Sequence, residues 1–271
     1  MRTVRRAKLP GPRARDAHKG DCGTVLVVAG SHDMLGAAIL CASAGLRGGA
    51  GLVRVALPRA LQPLLPLAVP CATTLLRSTN AVRRAAAAAD AVVVGPGLGA
   101  NASTRALVDA VLAASRGPVV LDADALNVLA PLRRPLRGPA AGLVLTPHPG
   151  EAGRLLGSDA RAVQADRNAA LAELCTRSGA VVVLKGRHTL VGDGRRRFTN
   201  RTGNAGLATG GAGDVLTGLL GALLAQGMAP FDAACAGVHL HGRSADLVAR
   251  RSSQRGLIAS DLPAALAEVM P

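Results

Sequence analysis

Short apolar runs recur along the chain, separated by longer segments in which Ala and Leu mix with Arg and Asp. Thr24–Ala29 (TVLVVA), Leu52–Leu57, Ala91–Gly95 (AVVVG), Pro118–Asp122 (PVVLD), Gly142–Leu145 and Ala180–Leu184 (AVVVL) are largely continuous in their apolar character. Runs of this kind predict strands buried on both faces, as in a parallel sheet under helices. Gly36–Arg47, Asn101–Ala114 and Asp159–Arg177 read as helices between them. Strand and helix therefore alternate as βαβ units. The last part differs. Thr189–Val191 and Arg196–Thr199 read as two antiparallel strands, followed by helices at Ala212–Gln226, Phe231–Arg250 and Ser260–Glu268. No internal repeat or low-complexity linker interrupts residues 1–271, so one α/β domain with a mostly parallel central sheet is expected. Ligands in such sheets sit beyond the carboxyl ends of the strands.

Composition narrows the reading. Hydrophobic residues make up 49% of the chain and aromatics 1%, with no Trp and no Tyr. A core of Val, Leu and Ala follows, and a nucleic-acid binder that stacks bases on aromatic rings is disfavoured. Thirty-two basic against seventeen acidic residues give a net charge of +15. The arginines are dispersed, so the charge reads as a basic surface rather than a polyanion site. Only residues 1–19 concentrate charge, and they are expected to be solvated or loosely docked. No apolar h-region follows them, so no secretory signal is expected. Five cysteines without a C-x-x-C pair indicate neither disulfides nor zinc, and reduced thiols suit a cytoplasmic protein. The charge-free stretches Ala60–Leu76 and Val215–Phe231 are broken by Pro or Gly and read as interior segments, not membrane spans.

The strongest chemical signal is residues 202–214 (TGNAGLATGGAGD), set before a long apolar helix. A Gly-rich turn lets the backbone aim several N–H groups inward, and the helix start adds its positive end. The amides of Gly211, Ala212 and Gly213 thus form a candidate anion hole for a transferring phosphoryl group. Asp214 sits in the first helical turn, where an acid can serve as an ordinary cap. Beside an anion hole it reads better as a general base for a hydroxyl attacking phosphorus. Neither a Walker A loop nor G-x-G-x-x-G is present.

Further motifs fall at strand ends. In order they are residues 18–21 (HKGD), 23–31 (GTVLVVAGS), 36–38 (GAA), 48–53 (GGAGLV), 95–99 (GPGLG), 121–127 (LDADALN), 145–151 (LTPHPGE) and 184–186 (LKG). With Gly-Gly-Ala-Gly-Asp, this ordered set resembles the ADP-dependent NAD(P)H-hydrate dehydratase family. The resemblance implies a ribokinase-like three-layer α/β sandwich with helices on both faces of the sheet. It implies a repair reaction in which the S form of hydrated NADH or NADPH is dehydrated while ADP becomes AMP and phosphate. Asp214 is then the base. Ala38, Gly97, Gly99, His148 and Glu151 join it around the hydrated dinucleotide. Lys185, Gly186, Arg187, His188, Thr189, Asn204 and Gly213 touch the adenine nucleotide. Mg²⁺ is expected on the diphosphate, although no metal-ligand cluster is visible. The preference for ADP over ATP rests on the resemblance, which also implies a homo-oligomer and no nucleic-acid or membrane partner. Relatives often carry an epimerase in front. A 271-residue chain is expected to leave that step to another protein.

Several of these residues have a second reading. His148, Pro149 and Glu151 also make a sound helix start. Lys185 could face solvent at a strand end, residues 95–99 could be a plain turn, and Ala38 could serve helix packing. Asp122 and Asp124 are strand-end carboxylates near metal or substrate, or a helix cap, and Asn127 could bind ligand or backbone. His239 and His241, two apart on a helix, cannot chelate together and read as structural. The stretch 71–80 and Ala212, where the family commonly has Thr, depart from the pattern. The competing functions are a kinase of a small alcohol and a nucleotide-binding protein that engages RNA.

Overall fold

A computed structural model describes residues 1–271. Ten strands form one sheet: β1 (Arg2–Val4), β2 (Thr24–Val28), β3 (Leu52–Leu57), β4 (Thr73–Leu76), β5 (Ala91–Val94), β6 (Val119–Leu121), β7 (Leu143–Leu145), β8 (Val181–Leu184), β9 (Leu190–Gly192) and β10 (Arg196–Thr199). Their order is β1-β10-β9-β8-β7-β6-β5-β2-β3-β4. All neighbours are parallel except β9, which runs against both β8 and β10. The six predicted buried runs supply the central strands, and every residue of β5, β6, β7 and β8 is buried. A strand covered on both faces has no reason to alternate polar and apolar positions.

One helical layer contains α1 (Leu35–Arg47), α9 (Ala212–Ala225), α10 (Pro230–Arg251) and α11 (Leu262–Val269), packed on the Val25, Val93 and Val183 side of the sheet. The other contains α3 (Thr79–Ala88), α4 (Ala102–Ala114), α5 (Asp124–Leu129), α6 (Pro149–Leu156), α7 (Ala160–Ala165) and α8 (Arg167–Ser178). A short α2 (Leu65–Ala68) lies between β3 and β4. Helix α9 is buried nearly all round. Its glycines are needed for that position: a Cβ on Gly218 would lie 2.0 Å from the Cys41 carbonyl oxygen of α1, and one on Gly221 2.6 Å from Val93 of β5. The N-terminal end of α9 is thereby pinned over the middle of the sheet. No helix is long and apolar enough to cross a membrane.

Three expectations change. The basic start is not merely solvated, because Arg2–Val4 pair with Arg196–Phe198 as an edge strand. The helix expected over Asp159–Arg177 is two helices, broken at Asp166, whose side chain accepts the Ala169 N–H and starts α8 afresh. Residues 60–76 are not wholly interior. They run through a 3-10 turn (Arg59–Leu64), α2 and the edge strand β4, and Leu67 is 82% exposed.

Candidate active site

The carboxyl ends of β6, β7 and β8 converge on a buried charge. Asp122, the residue after β6, is 1% exposed. Its Oδ1 accepts from Lys185 Nζ at 2.9 Å and Thr146 Oγ1 at 2.7 Å, and its Oδ2 accepts from Thr217 Oγ1 at 2.8 Å. Three donors leave the carboxylate well satisfied, as a charge at that depth requires. Lys185 also approaches Glu151 Oε2 at 3.7 Å. Burial works against the Lys185 charge, but Asp122 and Glu151 outweigh it and hold its pKa above the ordinary value.

His148 and Glu151 open α6 as a reciprocal cap. Glu151 Oε2 accepts the His148 N–H at 2.8 Å, and His148 Nδ1 accepts the Gly150 N–H at 3.0 Å. An acceptor at Nδ1 leaves the proton on Nε2, which faces Glu151 Oε1 at 3.3 Å. Burial, followed by the nearby Lys185 and Arg154 charges, lowers the His148 pKa, so the ring is neutral. Its side chain remains half exposed, so it caps the helix and still presents a ring edge to solvent.

The Gly-rich loop enters α9 through Gly211, at φ +90°. The first amides of a helix have no intrahelical acceptor. The expected Ala212 donor is not free, because the preceding turn directs its N–H at the Thr209 carbonyl at 3.5 Å, whereas no turn, cap or side-chain acceptor takes the Gly211, Gly213 or Asp214 N–H. A Cβ on Gly213 would stand 3.4 Å from Lys185 Nζ, so bare backbone and a cation share one small space. Asp214 lies alongside. Burial pushes its pKa up to about 7, with Asp122 adding to the rise, Lys185 opposing it, and Asp124 and Glu151 contributing further. A carboxylate poised near neutrality can take a proton and return it.

Two neighbouring turns complete this side. Lys185–Thr189 link the antiparallel β8 and β9, with Gly186 at φ +127° and His188 at φ +53°. Arg167 clamps the entry: its guanidinium donates to Leu184 O at 3.0 Å and Lys185 O at 3.2 Å. Asn204 Oδ1 accepts the Gly206 N–H at 2.9 Å, and its Nδ2 donates to Asp246 of α10 at 3.0 Å. Arg187 and His188 are exposed.

The ends of β2 and β5 form a different wall. Gly30 N–H donates to Pro96 O at 2.8 Å, and Gly99 N–H to Asp124 Oδ2 at 2.8 Å. Gly97, at φ +63°, is buried with no room for a Cβ, which would come 2.8 Å from Met34 Cβ. Gly99 is exposed. Ala38 has no exposed surface; its methyl would lie 3.0 Å from a Cβ on Gly30. It therefore shapes this wall from behind, and close packing accounts for its small size. In the divergent stretch 71–80, Arg77 donates to the Gly30 carbonyl.

Sequence reasoning left Asp122 beside a metal or substrate, whereas its oxygens are occupied by Lys185, Thr146 and Thr217. Nor do three His, Cys, Asp or Glu side chains come together to cage a metal. The donor set thus fits no dedicated metal site. Thr146, Thr217 and Arg167 were not singled out as partners. Thr146 lies in the 145–151 motif, but the other two carry no local signal. Asn127 is held by protein groups, its Oδ1 accepting from Arg154 at 2.9 Å and its Nδ2 donating to Asp124 Oδ1 at 3.4 Å.

A mostly parallel sheet with helices on both faces and unpaired helix-start amides at its carboxyl edge has the ribokinase-like α/β fold. The family model for NAD(P)H-hydrate dehydratase matches residues 25–268, and the chain belongs to that family. An ADP-dependent (S)-NAD(P)H-hydrate dehydratase of Neisseria meningitidis is 46% identical over 93% of this chain and 87% of its own length. A bifunctional NAD(P)H-hydrate repair enzyme of Moorella thermoacetica is 41% identical over 95% of this chain and 51% of its own. The chain thus spans about half the length of that bifunctional relative. An ADP/ATP-dependent NAD(P)H-hydrate dehydratase of Bacillus subtilis, co-crystallized with ATP/Mg²⁺, superposes with a TM-score of 0.88 at 34% identity, covering 96% of this chain and 93% of that one.

Proposed function

We propose that the chain dehydrates the S form of hydrated NADH or NADPH, using ADP and releasing AMP and phosphate. Membership of the family and the named activity of the Neisseria relative support the reaction class. The observation that carries the mechanism is Asp214, poised near pH 7 beside unpaired helix-start amides and the Lys185 cation.

Hydroxide is a poor leaving group and phosphate a good one. In this reading Asp214 takes the proton of the C6 hydroxyl as its oxygen attacks the β-phosphorus of ADP. The bond between Pβ and the bridging oxygen breaks, its electron pair stays on that oxygen, and AMP departs. The free amides of Gly211 and Gly213, with Lys185, hold the charge that develops on the transferred group. The ring nitrogen lone pair then expels phosphate from C6, and loss of a C5 proton restores the dihydronicotinamide. His148, the Glu151 cap and residues 97–99 border the dinucleotide. Lys185–Thr189 and Asn204 border the adenine nucleotide. Mg²⁺ would arrive on the diphosphate and neutralise part of its charge, because the protein offers no cage of its own. A homo-oligomer in the cytoplasm, supplied with the S form by an epimerase, completes the reading.

The test is incubation of the purified chain with S-hydrated NADPH, Mg²⁺ and either ADP or ATP. Absorbance at about 340 nm should return, with one AMP and one phosphate for each ADP consumed. Accumulation of a stable phosphorylated product would make it a kinase; nucleotide binding without turnover would leave only a binding protein.

A further inference from the structure

Helix α10 anchors the loop that leads from β10 into α9. Asn200 Nδ2 donates to Val238 O at 3.0 Å, Thr202 Oγ1 to His239 O at 2.8 Å, and Gly203 N–H to Asp246 Oδ2 at 2.9 Å. Gly242 lets Thr202 lie directly on the helix, since a Cβ there would meet Thr202 Oγ1 at 2.3 Å. Between these anchors stands His241, 8% exposed, its ring against the Ala212 backbone and within reach of the Lys185 charge. Its Nε2 is fully buried and has no hydrogen-bond partner.

A buried, unpaired imidazole nitrogen costs stability that an apolar residue of similar size would not. Its position offers a return for that cost. The peptide joining Ala212 to Gly213 is planar, so its C=O and N–H point in opposite directions. A donor that holds the Ala212 carbonyl from the α10 side aims the Gly213 N–H towards Lys185 and the cleft. Nε2 is too deeply buried to reach a ligand itself. Resting on the proposed phosphoryl chemistry, we propose that His241 is a positioning residue whose Nε2–H engages the Ala212 carbonyl when a diphosphate occupies the loop, fixing the Gly213 amide for the transferring phosphate. Burial drives the His241 pKa down to about 4, so the ring is neutral and retains one N–H to donate.

The experiment compares His241→Leu, His241→Met and His241→Gln with the unaltered chain. Thermal stability of the apolar variants should hold or rise, because an orphan polar group is gone. Their kcat should fall roughly tenfold to a hundredfold, below the loss seen when a direct oxyanion donor is removed, while KM for ADP changes less than about threefold. His241→Gln, which keeps a donor, should recover much of the rate. Hydrogen exchange gives a readout independent of turnover: ADP should protect the Gly213 amide in the unaltered chain and in His241→Gln, and not in the apolar variants. An unaltered chain without dehydratase activity would remove the functional reading, yet the exchange result would still decide the role of His241. Unaltered kcat and amide protection in both apolar variants would overturn the inference.

Discussion

The two halves of the cleft solve different problems. At the ends of β6, β7 and β8 the protein concentrates charge: Asp122, Glu151, Lys185 and Asp214 lie within one another's field, and the first three are already bonded to protein groups while the Asp214 carboxylate is not. At the ends of β2 and β5 it concentrates backbone: Gly30 and Gly97 carry no side chain, and Met34, Ala37 and Ala38 pack where side chains would stand. The first half tunes protonation and holds anions. The second sets shape. Preorganised charge demands fixed donors, because a half-satisfied buried network costs more than it returns. A shape-selecting wall demands only close approach and can be apolar.

The comparison predicts different failures on each side. Asp214→Asn carries the largest effect. Turnover should fall by about a thousandfold or more, with ADP affinity nearly intact, as measured by steady-state rates and calorimetry. Stability should move the other way. A carboxyl whose folded pKa is raised makes the native state hold its proton, so its contribution favours folding at low pH and is lost as pH rises from the ordinary carboxylate range through about 7. At pH 8 the Asn variant should therefore be more stable than the unaltered chain, by up to about 4 kcal/mol on the linkage arithmetic, and its stability should vary less with pH. Equal turnover in the two proteins would remove Asp214 as the base.

Gly97→Ala tests the other half. At φ +63°, with a Cβ only 2.8 Å from Met34 Cβ, the substitution strains the backbone and pushes into the wall. KM for the hydrated dinucleotide should rise about tenfold and stability should fall by about 1–3 kcal/mol, whereas ADP affinity stays put. Equal losses for both ligands would mean the two halves are not separate.

The regions also differ in how far they could be read from residues alone. The Gly-rich loop, Asp214 and the strand-end Lys185 were legible because their chemistry is local: a run of glycines, a helix start, an apolar strand. The partner of Lys185 was not, because Asp122 lies 63 residues away and Thr217 lies 95 residues from Asp122. Only the parallel sheet and the seat of α9 bring them together. His241 reads as a helix residue until the loop from a distant segment is laid against it. β1 and β4 escaped notice for another reason. Edge strands of three and four residues are half covered, and neither Arg2–Val4 nor Thr73–Leu76 forms a long apolar run.

The smallest predicted effect sharpens the division most, because Asp124 stands where the two halves meet. Its Oδ2 holds the Gly99 amide of the shape-selecting wall, while its charge raises the Asp214 pKa on the catalytic side. Asp124→Asn keeps an oxygen for the Gly99 N–H and removes only the charge. Asp122, the larger contributor, cannot serve this test, since neutralising it would strip Lys185 of its partner. The acidic limb of kcat/KM for ADP reports ionisation of the free enzyme. In the unaltered chain it should fall below about pH 7, as Asp214 becomes protonated. With one negative neighbour gone, the Asp214 carboxylate is less disfavoured. The limb should move to lower pH by a fraction of a unit, while the plateau rate and KM for the hydrated dinucleotide stay within about twofold. A raised KM with an unmoved limb would assign Asp124 to the wall alone; a shift to higher pH would contradict the field that Asp214 is argued to feel.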